Sequence, residues 1–363
     1  MPALQLNTAC EGPLALNDHA FELCREFVQP GGVRFFQQVS RYDVYLAEVL
    51  KKPEYRAGDT LRLILPFLKA HGLTNARIGE YSRKSIMPVP GVEAAYKFLH
   101  TQGFPIFEIS LSYRQFAEAV GQRLGFDAAH IFCTELDLDR YSLPPAEKEE
   151  LLRLQQEIVA APEIELDPAA ASPEDLPPQV QDAIKLCHRI FWERVPEMEI
   201  GAIYQEVNPL GGPDKALALE ESLARTGLKM SDVIYVGDGS TDVQAFAAVR
   251  AGGGLSISFN GNGEAVKAAE VSIIADNAWP IALMASVFLL WGKEGVMELA
   301  TKGTAAASRY LVLPEAVIDI LMRGLQGRNF NLYSPSNRDP EEIAKESTAM
   351  RARLRGAAVA AQG

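Results

Sequence analysis

The sequence lacks paired cysteines and clustered histidines. Its four cysteines, Cys10, Cys24, Cys133 and Cys187, form no CxxC motif, and its five histidines are scattered. Zinc sites and disulfide frameworks depend on closely spaced ligands or pairs, so neither is expected. We therefore expect a reducing, cytoplasmic environment.

Long hydrophobic runs and an excess of positive charge are also missing. The most apolar stretch, PIALMASVFLLW (280–291), is about 12 residues long and a membrane span needs about 20, so it predicts a buried helix. No basic segment followed by an apolar one opens the sequence, and we expect no secretory signal. With 35 Lys and Arg against 47 Asp and Glu, the net charge is -12. We therefore expect neither nucleic acid nor membrane as a partner, whereas a small anionic ligand stays compatible.

The pattern of apolar residues predicts an α/β protein, because helix-like and strand-like segments alternate as in a doubly wound parallel sheet. One long, mostly helical segment interrupts this alternation, and the Pro-, Ala- and acid-rich sequence in its middle predicts flexibility. We assign 1–14, 89–142 and 201–280 to the core, 15–88 to a helical cap, 143–200 to a second insertion, and 281–363 to a C-terminal helical extension that ends in a frayed tail, RARLRGAAVAAQG.

The segment VIYVGDGSTD (233–242) carries the strongest chemical signal. Four apolar residues predict a buried strand, and Asp238 follows between two glycines where that strand ends. Ligands of parallel α/β sheets bind at the carboxyl ends of strands, and the carboxylates of Asp238 and Asp242 suit a hard cation such as Mg²⁺. Alternatively, Asp238 is a turn residue and Asp242 caps a helix.

This segment resembles the fourth motif of the haloacid dehalogenase superfamily, whose members are mostly Mg²⁺-dependent phosphohydrolases. The resemblance implies a Rossmann-like core with an inserted cap and three more motifs. It implies that Lys215 neutralises the phosphate and that Ser110, or less favourably Ser112, binds it. FEISLSYRQFAEAVGQRLGF is similar to a phosphoserine phosphatase stretch. The alternatives are a solvated lysine and a hydroxyl that caps a helix.

The segment ACEGPL (9–14) aligns with the first motif of the superfamily. Ala9 then takes the place of the aspartate nucleophile, Glu11 that of the second acid, and Gly12 that of the tight turn. The Glu-Gly-Pro order is similar to an archaeal and bacterial branch named for a subunit of energy-converting hydrogenase A. The similarity extends over roughly residues 4–275. The name of that branch reflects gene neighbourhood and says little about role.

Ala9 has three interpretations. We favour an inactivated variant whose nucleophile has been replaced, because Glu11, Lys215 and Asp238 remain; a natural loss of catalysis and a wrong alignment are the others. With Asp at position 9, the resemblance implies an aspartyl-phosphate, Glu11 as general acid and base, and Mg²⁺ held by Glu11, Asp238 and Asp242. We expect the chain as given to be inactive and Ala9→Asp to restore hydrolysis.

Residues outside the four motifs are weaker candidates for binding substrate. Residues 41–43, Arg62 and Arg83 of the cap could hold an anion, or could be ordinary surface charges. Asn260 could reach the leaving group, or could be a turn residue before Gly261.

The main hypothesis is a Mg²⁺-dependent phosphohydrolase of a small phosphorylated metabolite, present here in an inactive form. One alternative is a catalytically silent subunit that binds a phosphometabolite or associates with a complex. Another is a hydrolase of C–P or C–halogen bonds, in which Lys51, Lys52 or Lys69 would form an imine for C–P cleavage. The oligomeric state stays open, with a homodimer as one option.

Overall fold

A seven-stranded sheet forms the centre of the protein. The computed structural model describes residues 4–52, 55, 58–167, 172–302 and 315–356. The strands are β1 Gln5–Thr8, β2 Ile106–Tyr113, β3 Ile131–Thr134, β4 Val233–Gly237, β5 Leu255–Phe259, β6 Val271–Ala275 and β7 Phe330–Tyr333. Their order is β3-β2-β1-β4-β5-β6-β7, and every pair is parallel except β6 and β7. The predicted doubly wound parallel sheet is confirmed.

The central strands are apolar and buried along their length, because helices cover both faces of a parallel sheet. All five residues of β4 are buried. Strand β1 lies between β2 and β4, and its Thr8 is in register with Glu108 on one side and Val236 on the other. The carboxyl ends of β1 and β4 therefore lie side by side at one edge of the sheet, next to the last residues of β2.

Helices surround the sheet and form a second layer over its carboxyl edge. In the described part of the chain they are α1 His19–Phe27, α2 Gly32–Val44, α3 Thr60–Leu63, α4 Leu65–Ala70, α5 Asn75–Ser85, α6 Val92–Thr101, α7 Arg114–Leu124, α8 Pro145–Ala160, α9 Pro178–His188, α10 Ile203–Glu206, α11 Pro213–Thr226, α12 Val243–Ala251, α13 Gly263–Ala268, α14 Trp279–Lys302, α15 Glu315–Leu325 and α16 Pro340–Arg355. A π-helical turn, Tyr45–Val49, continues α2.

The predicted cap and the predicted second insertion pack together. Phe35 and Phe67 of the cap share one buried cluster with Phe191 of the insertion, and α8 contacts both α2 and α4. Part of the predicted flexible middle, residues 168–171, lies outside the described residues. The segment Pro173–Asp175 that follows forms a short 3-10 turn.

The C-terminal region differs from its prediction in two places. Helix α14 is interrupted at Gly292, and its first half is buried as predicted. By length and composition α14 could cross a membrane, but 56% of its apolar window is buried inside the protein. A purely helical extension was wrong for β7, whose FNLY sequence pairs with β6.

The predicted frayed tail was also wrong for its first five residues. They complete a C-terminal helix, Pro340–Arg355, that contacts α13 and β6 and buries Ile343. The physical reason is that Ile343 and Ala344 of this helix pack against Val266 of α13 and Ile274 of β6. Residues 357–363 lie outside the described residues.

Candidate functional site

The loop after β1 makes a tight turn against the loop after β4. The N–H of Ala9 donates to the carbonyl oxygen of Val236 at 2.8 Å, and that of Gly12 donates to Ala15 at 2.7 Å. Gly12 has a φ of 96°, and a Cβ added there would lie 2.3 Å from Cγ of Asp238. Only glycine fits this contact, so the turn brings position 9 and Asp238 together.

Asp242 holds the second loop and pairs with Lys215. Its Oδ2 accepts hydrogen bonds from the backbone N–H groups of Asp238 at 3.0 Å and Gly239 at 3.1 Å. Its Oδ1 accepts from Nζ of Lys215 at 2.6 Å and from the hydroxyl of Tyr235 at 2.9 Å. Both carboxylate oxygens are therefore occupied by protein donors, which explains the buried position of Lys215 at the start of α11.

Glu11 is joined to the end of β2. Its Oε1 accepts from the Ser112 hydroxyl at 2.9 Å and from the backbone N–H of His19 at 3.0 Å. Burial raises the pKa of Glu11 to about 8, helped by the charge of Asp18 and opposed by Arg355. Burial therefore favours the protonated, neutral form of this carboxyl group.

Ser110 lies inside β2 rather than at its end, because the strand continues to Tyr113. This corrects the predicted strand end by three residues. Its hydroxyl oxygen accepts a hydrogen bond from the backbone N–H of Ser112 at 3.0 Å, so the hydroxyl hydrogen can still be donated.

Two arginines of the C-terminal helix reach Asp238. Arg351 Nη1 donates to Asp238 Oδ2 at 2.8 Å and to its carbonyl oxygen at 3.1 Å. Arg355 Nη1 lies 3.3 Å from the same Oδ2, and its other nitrogens donate to the carbonyl oxygens of Leu16 and Asn17. Burial raises the pKa of Asp238, and the two guanidinium groups oppose that rise.

Sequence reasoning missed these arginines. Arg351 and Arg355 stand four residues apart, a spacing that places both on one face of a helix, and this was the available signal. No family motif pointed to a segment so far from the others.

The site residues line one cavity of about 530 Å³ between the sheet edge and the cap. From the core it is lined by Ala9, Glu11, Ser110, Ser112, Lys215 and Asp238, among others. The C-terminal helix contributes Arg351 and Arg355, and the cap contributes Asp18, Phe36, Asp43, Glu48 and Leu61, among others. The residues of the four motifs, separated by up to about 230 positions, thus converge on one space in which charge-assisted contacts to one anion are feasible.

Several weaker candidates have other contacts and do not line this cavity. The side-chain nitrogen of Asn260 donates to the carbonyl oxygen of Ala275 at 2.8 Å, and its side-chain oxygen accepts from the N–H of Ala275 at 2.9 Å. Arg62 binds Asp59 and the carbonyl oxygen of Tyr204, and Arg83 is exposed on α5. These contacts explain their positions without a ligand.

Among residues 41–43, only Asp43 lines the cavity. The cap lysines Lys51, Lys52 and Lys69 do not line it; Lys52 lies over the Trp192 ring and Lys69 donates to the Leu138 carbonyl oxygen.

The donor set does not fit the metal that the resemblance implies. Ala9 supplies no ligand, Asp238 Oδ2 is held by guanidinium groups, and Asp242 is held by Lys215 and backbone donors. Within the described part of the chain, no group of three His, Cys, Asp or Glu side chains is arranged to hold a metal ion. Magnesium stays a prediction of the resemblance that this geometry does not favour.

No protein-family model and no curated protein matches the chain. A solved structure of gene product AF1437 from Archaeoglobus fulgidus is similar along 99% of both chains, with 28% identity and a TM-score of 0.78. A substrate-bound phosphoserine phosphatase covers 75% of this chain and 93% of its own, with 17% identity and a TM-score of 0.45. A phospho-aspartyl intermediate analogue of phosphoserine phosphatase covers the same shares, with 16% identity and a TM-score of 0.46. Likenesses as low as the last two carry no argument about this site.

Proposed function

We propose that this chain binds a small phosphorylated metabolite in the cavity under the cap and does not hydrolyse it. The observation that carries the proposal is the methyl group of Ala9, which lies where the resemblance requires a nucleophile. A methyl group has no lone pair to attack phosphorus, so the covalent step is lost. The groups that would bind a phosphate, Lys215 and Ser110, line the same cavity.

The remaining side chains suit binding of an anion. Lys215 has three N–H donors, of which one donates to Asp242. The hydroxyl oxygen of Ser110 accepts from Ser112, so its hydrogen is left to donate to an anion. Burial favours the neutral form of Glu11, which would repel a phosphate less than a carboxylate does. Arg351 and Arg355 add two positive charges beside the carboxyl groups of Asp238 and Asp18. These donors support anion binding in a cavity whose lining also carries the carboxyl groups of Asp18, Asp43, Glu48 and Glu264.

The second candidate is a phosphohydrolase whose natural residue at position 9 is aspartate. Retention of Glu11, Lys215 and Asp238 favours it. The arginine contacts of Asp238 weigh against it, because two guanidinium groups occupy Oδ2 of the carboxylate and their charges oppose a nearby Mg²⁺. We do not propose C–P cleavage, since none of its three candidate lysines lines the cavity. A cytoplasmic location and the absence of nucleic acid and membrane partners stay predictions from composition.

The binding proposal is tested by calorimetric titration of inorganic phosphate and a panel of phosphomonoesters. We expect saturable binding and no phosphate release, with or without Mg²⁺. Ser110→Ala should weaken binding by about tenfold to a hundredfold, the worth of one hydrogen bond to a charged group. Ser231→Ala, at an exposed position far along the chain, is the matched control and should bind normally. The absence of saturable binding across the panel would contradict the proposal.

The two candidates differ in what Ala9→Asp should do. If the chain is a binding protein, this variant should release no phosphate from an aryl phosphate in millimolar Mg²⁺. If it is an inactivated hydrolase, the rate should rise by about 10⁴ to 10⁶, the usual cost of a lost nucleophile. Sequencing codon 9 of the encoding gene gives an independent decision, with Asp favouring the hydrolase.

A further inference from the structure

We infer that Arg351 and Arg355 of the C-terminal helix take the place of the divalent cation, so that anion binding in this cavity is independent of metal. The inference rests on the proposed function and deepens it. It starts from a disagreement, since the resemblance implies Mg²⁺ beside Asp238, whereas that carboxylate is bound by two guanidinium groups.

A buried carboxylate at the mouth of a phosphate site needs a compensating positive charge. In the metal-dependent members of the superfamily that this chain resembles, the cation supplies this positive charge. Here the side chains of Arg351 and Arg355 are each 6% exposed and lie at 2.8 Å and 3.3 Å from Asp238 Oδ2. The two guanidinium groups face the carboxyl groups of both Asp238 and Asp18, and so supply the positive charge that a divalent cation would bring.

The arginines are held in place by the fold. Arg355 donates to the carbonyl oxygens of Leu16 and Asn17, at the start of the cap. On the same helix, the hydroxyl of Ser347 donates to the carbonyl oxygen of Gly261 at 2.6 Å. These contacts fix the helix to the two loops that border the cavity, and so deliver both charges to a defined position.

One N–H group of Arg351 also lacks a hydrogen-bond acceptor among the described residues. Its Nε–H is buried and has no partner among the described residues, although the residue lines the cavity. Since that nitrogen is closed off from the cavity, an anion bound beside Arg351 would interact with the charge of the guanidinium group and not with this N–H.

The test compares phosphate binding with and without metal. Calorimetric titration of inorganic phosphate into the full chain should give the same affinity in excess EDTA and in millimolar Mg²⁺. In Arg351→Gln/Arg355→Gln, affinity in EDTA should fall by about tenfold or more, since charge-assisted contacts are lost. Arg353→Gln is the matched control, because Arg353 lies on the same helix but is exposed and faces Asp276 at 3.5 Å. It should bind phosphate as the parent does.

A metal-only measurement keeps the two proposals separable. Titration with Mn²⁺, followed by electron paramagnetic resonance, should show no bound ion in the parent protein and a gain of binding in the double variant, whose Asp238 is free. If phosphate fails to bind under every condition, the proposed function fails, and the Mn²⁺ result still decides the role of the arginines. If the double variant does not fold, Arg355→Gln alone replaces it, because its contact to Asp238 is the longer one. Phosphate binding that disappears in EDTA, or Mn²⁺ binding by the parent, would overturn the inference.

Discussion

Replacing Gly12 by alanine should damage this protein far more than the same change at another glycine of similar backbone. Gly12 has a φ of 96°, and an added Cβ would meet Cγ of Asp238 at 2.3 Å and both carboxylate oxygens at 2.7 Å or less. The variant therefore tests whether the first loop, Asp238 and the arginines form one packed unit.

The expected cost has two parts. Alanine in the left-handed region costs about 1–2 kcal/mol. The overlap can be relieved only by moving Asp238 by about 1 Å or by opening the turn, and moving Asp238 disturbs its contacts with Arg351 and Arg355. Breaking a buried ion pair costs about 3–5 kcal/mol. We expect the free energy of unfolding to fall by about 4 kcal/mol or more, the sum of strain and a large part of the second cost.

The assay is urea unfolding followed by circular dichroism, with Gly103→Ala as the control. Gly103 has a φ of 82°, and an added Cβ there meets nothing within 4 Å, so its cost should be the strain alone. The difference between the two variants measures the overlap with Asp238. Equal destabilisation by both would refute the close packing of the two loops.

Two further outcomes are expected. Burial raises the pKa of Glu108 from 4.5 to about 8, so its proton stabilises the folded state fully below pH 4.5 and this contribution is lost as the pH rises through 8. The free energy of unfolding should therefore fall less steeply with pH in Glu108→Gln than in the parent, by about 1.4 kcal/mol per pH unit between these two values. The control, Glu118→Gln at an exposed position, should keep the slope of the parent. Identical pH profiles for the parent and Glu108→Gln would contradict this. Asn260→Ala should lower stability by about 1–3 kcal/mol through its lost bonds to Ala275 and leave phosphate affinity unchanged in the same calorimetric titration, and weakened affinity with unchanged stability would return Asn260 to the binding site.

The parallel sheet and the meeting of the motifs were predictable because they depend on local signals. Apolar runs such as VIYV mark buried strands, and the carboxyl ends of parallel strands share one edge, so Asp238 and position 9 had to be neighbours. The end of β2 was harder to place, because LSY continues the apolar pattern past Ser110.

What could not be predicted depends on distant contacts. Arg351 and Arg355 belong to a polar, charge-rich segment whose sequence is equally compatible with an exposed helix. Their role is decided by where the helix docks, which no local pattern encodes. The cap residues Arg62 and Arg83 do not line the cavity. This could not be predicted for the same reason, because the sequence of a basic residue and its neighbours does not say which group it will contact.

The contacts of Arg355 also constrain the order in which this protein can be completed. Its hydrogen bonds to Asn17 and Leu16 span 338 and 339 positions of the chain. During synthesis the first loop and Asp238 emerge before the helix that carries Arg351 and Arg355, so Asp238 is without these two partners until that helix has been made. Closure by so distant a segment is expected to be a late step of folding. A ligand that engages the arginines would stabilise the docked helix by mass action, and would thereby protect that end of the protein from proteases.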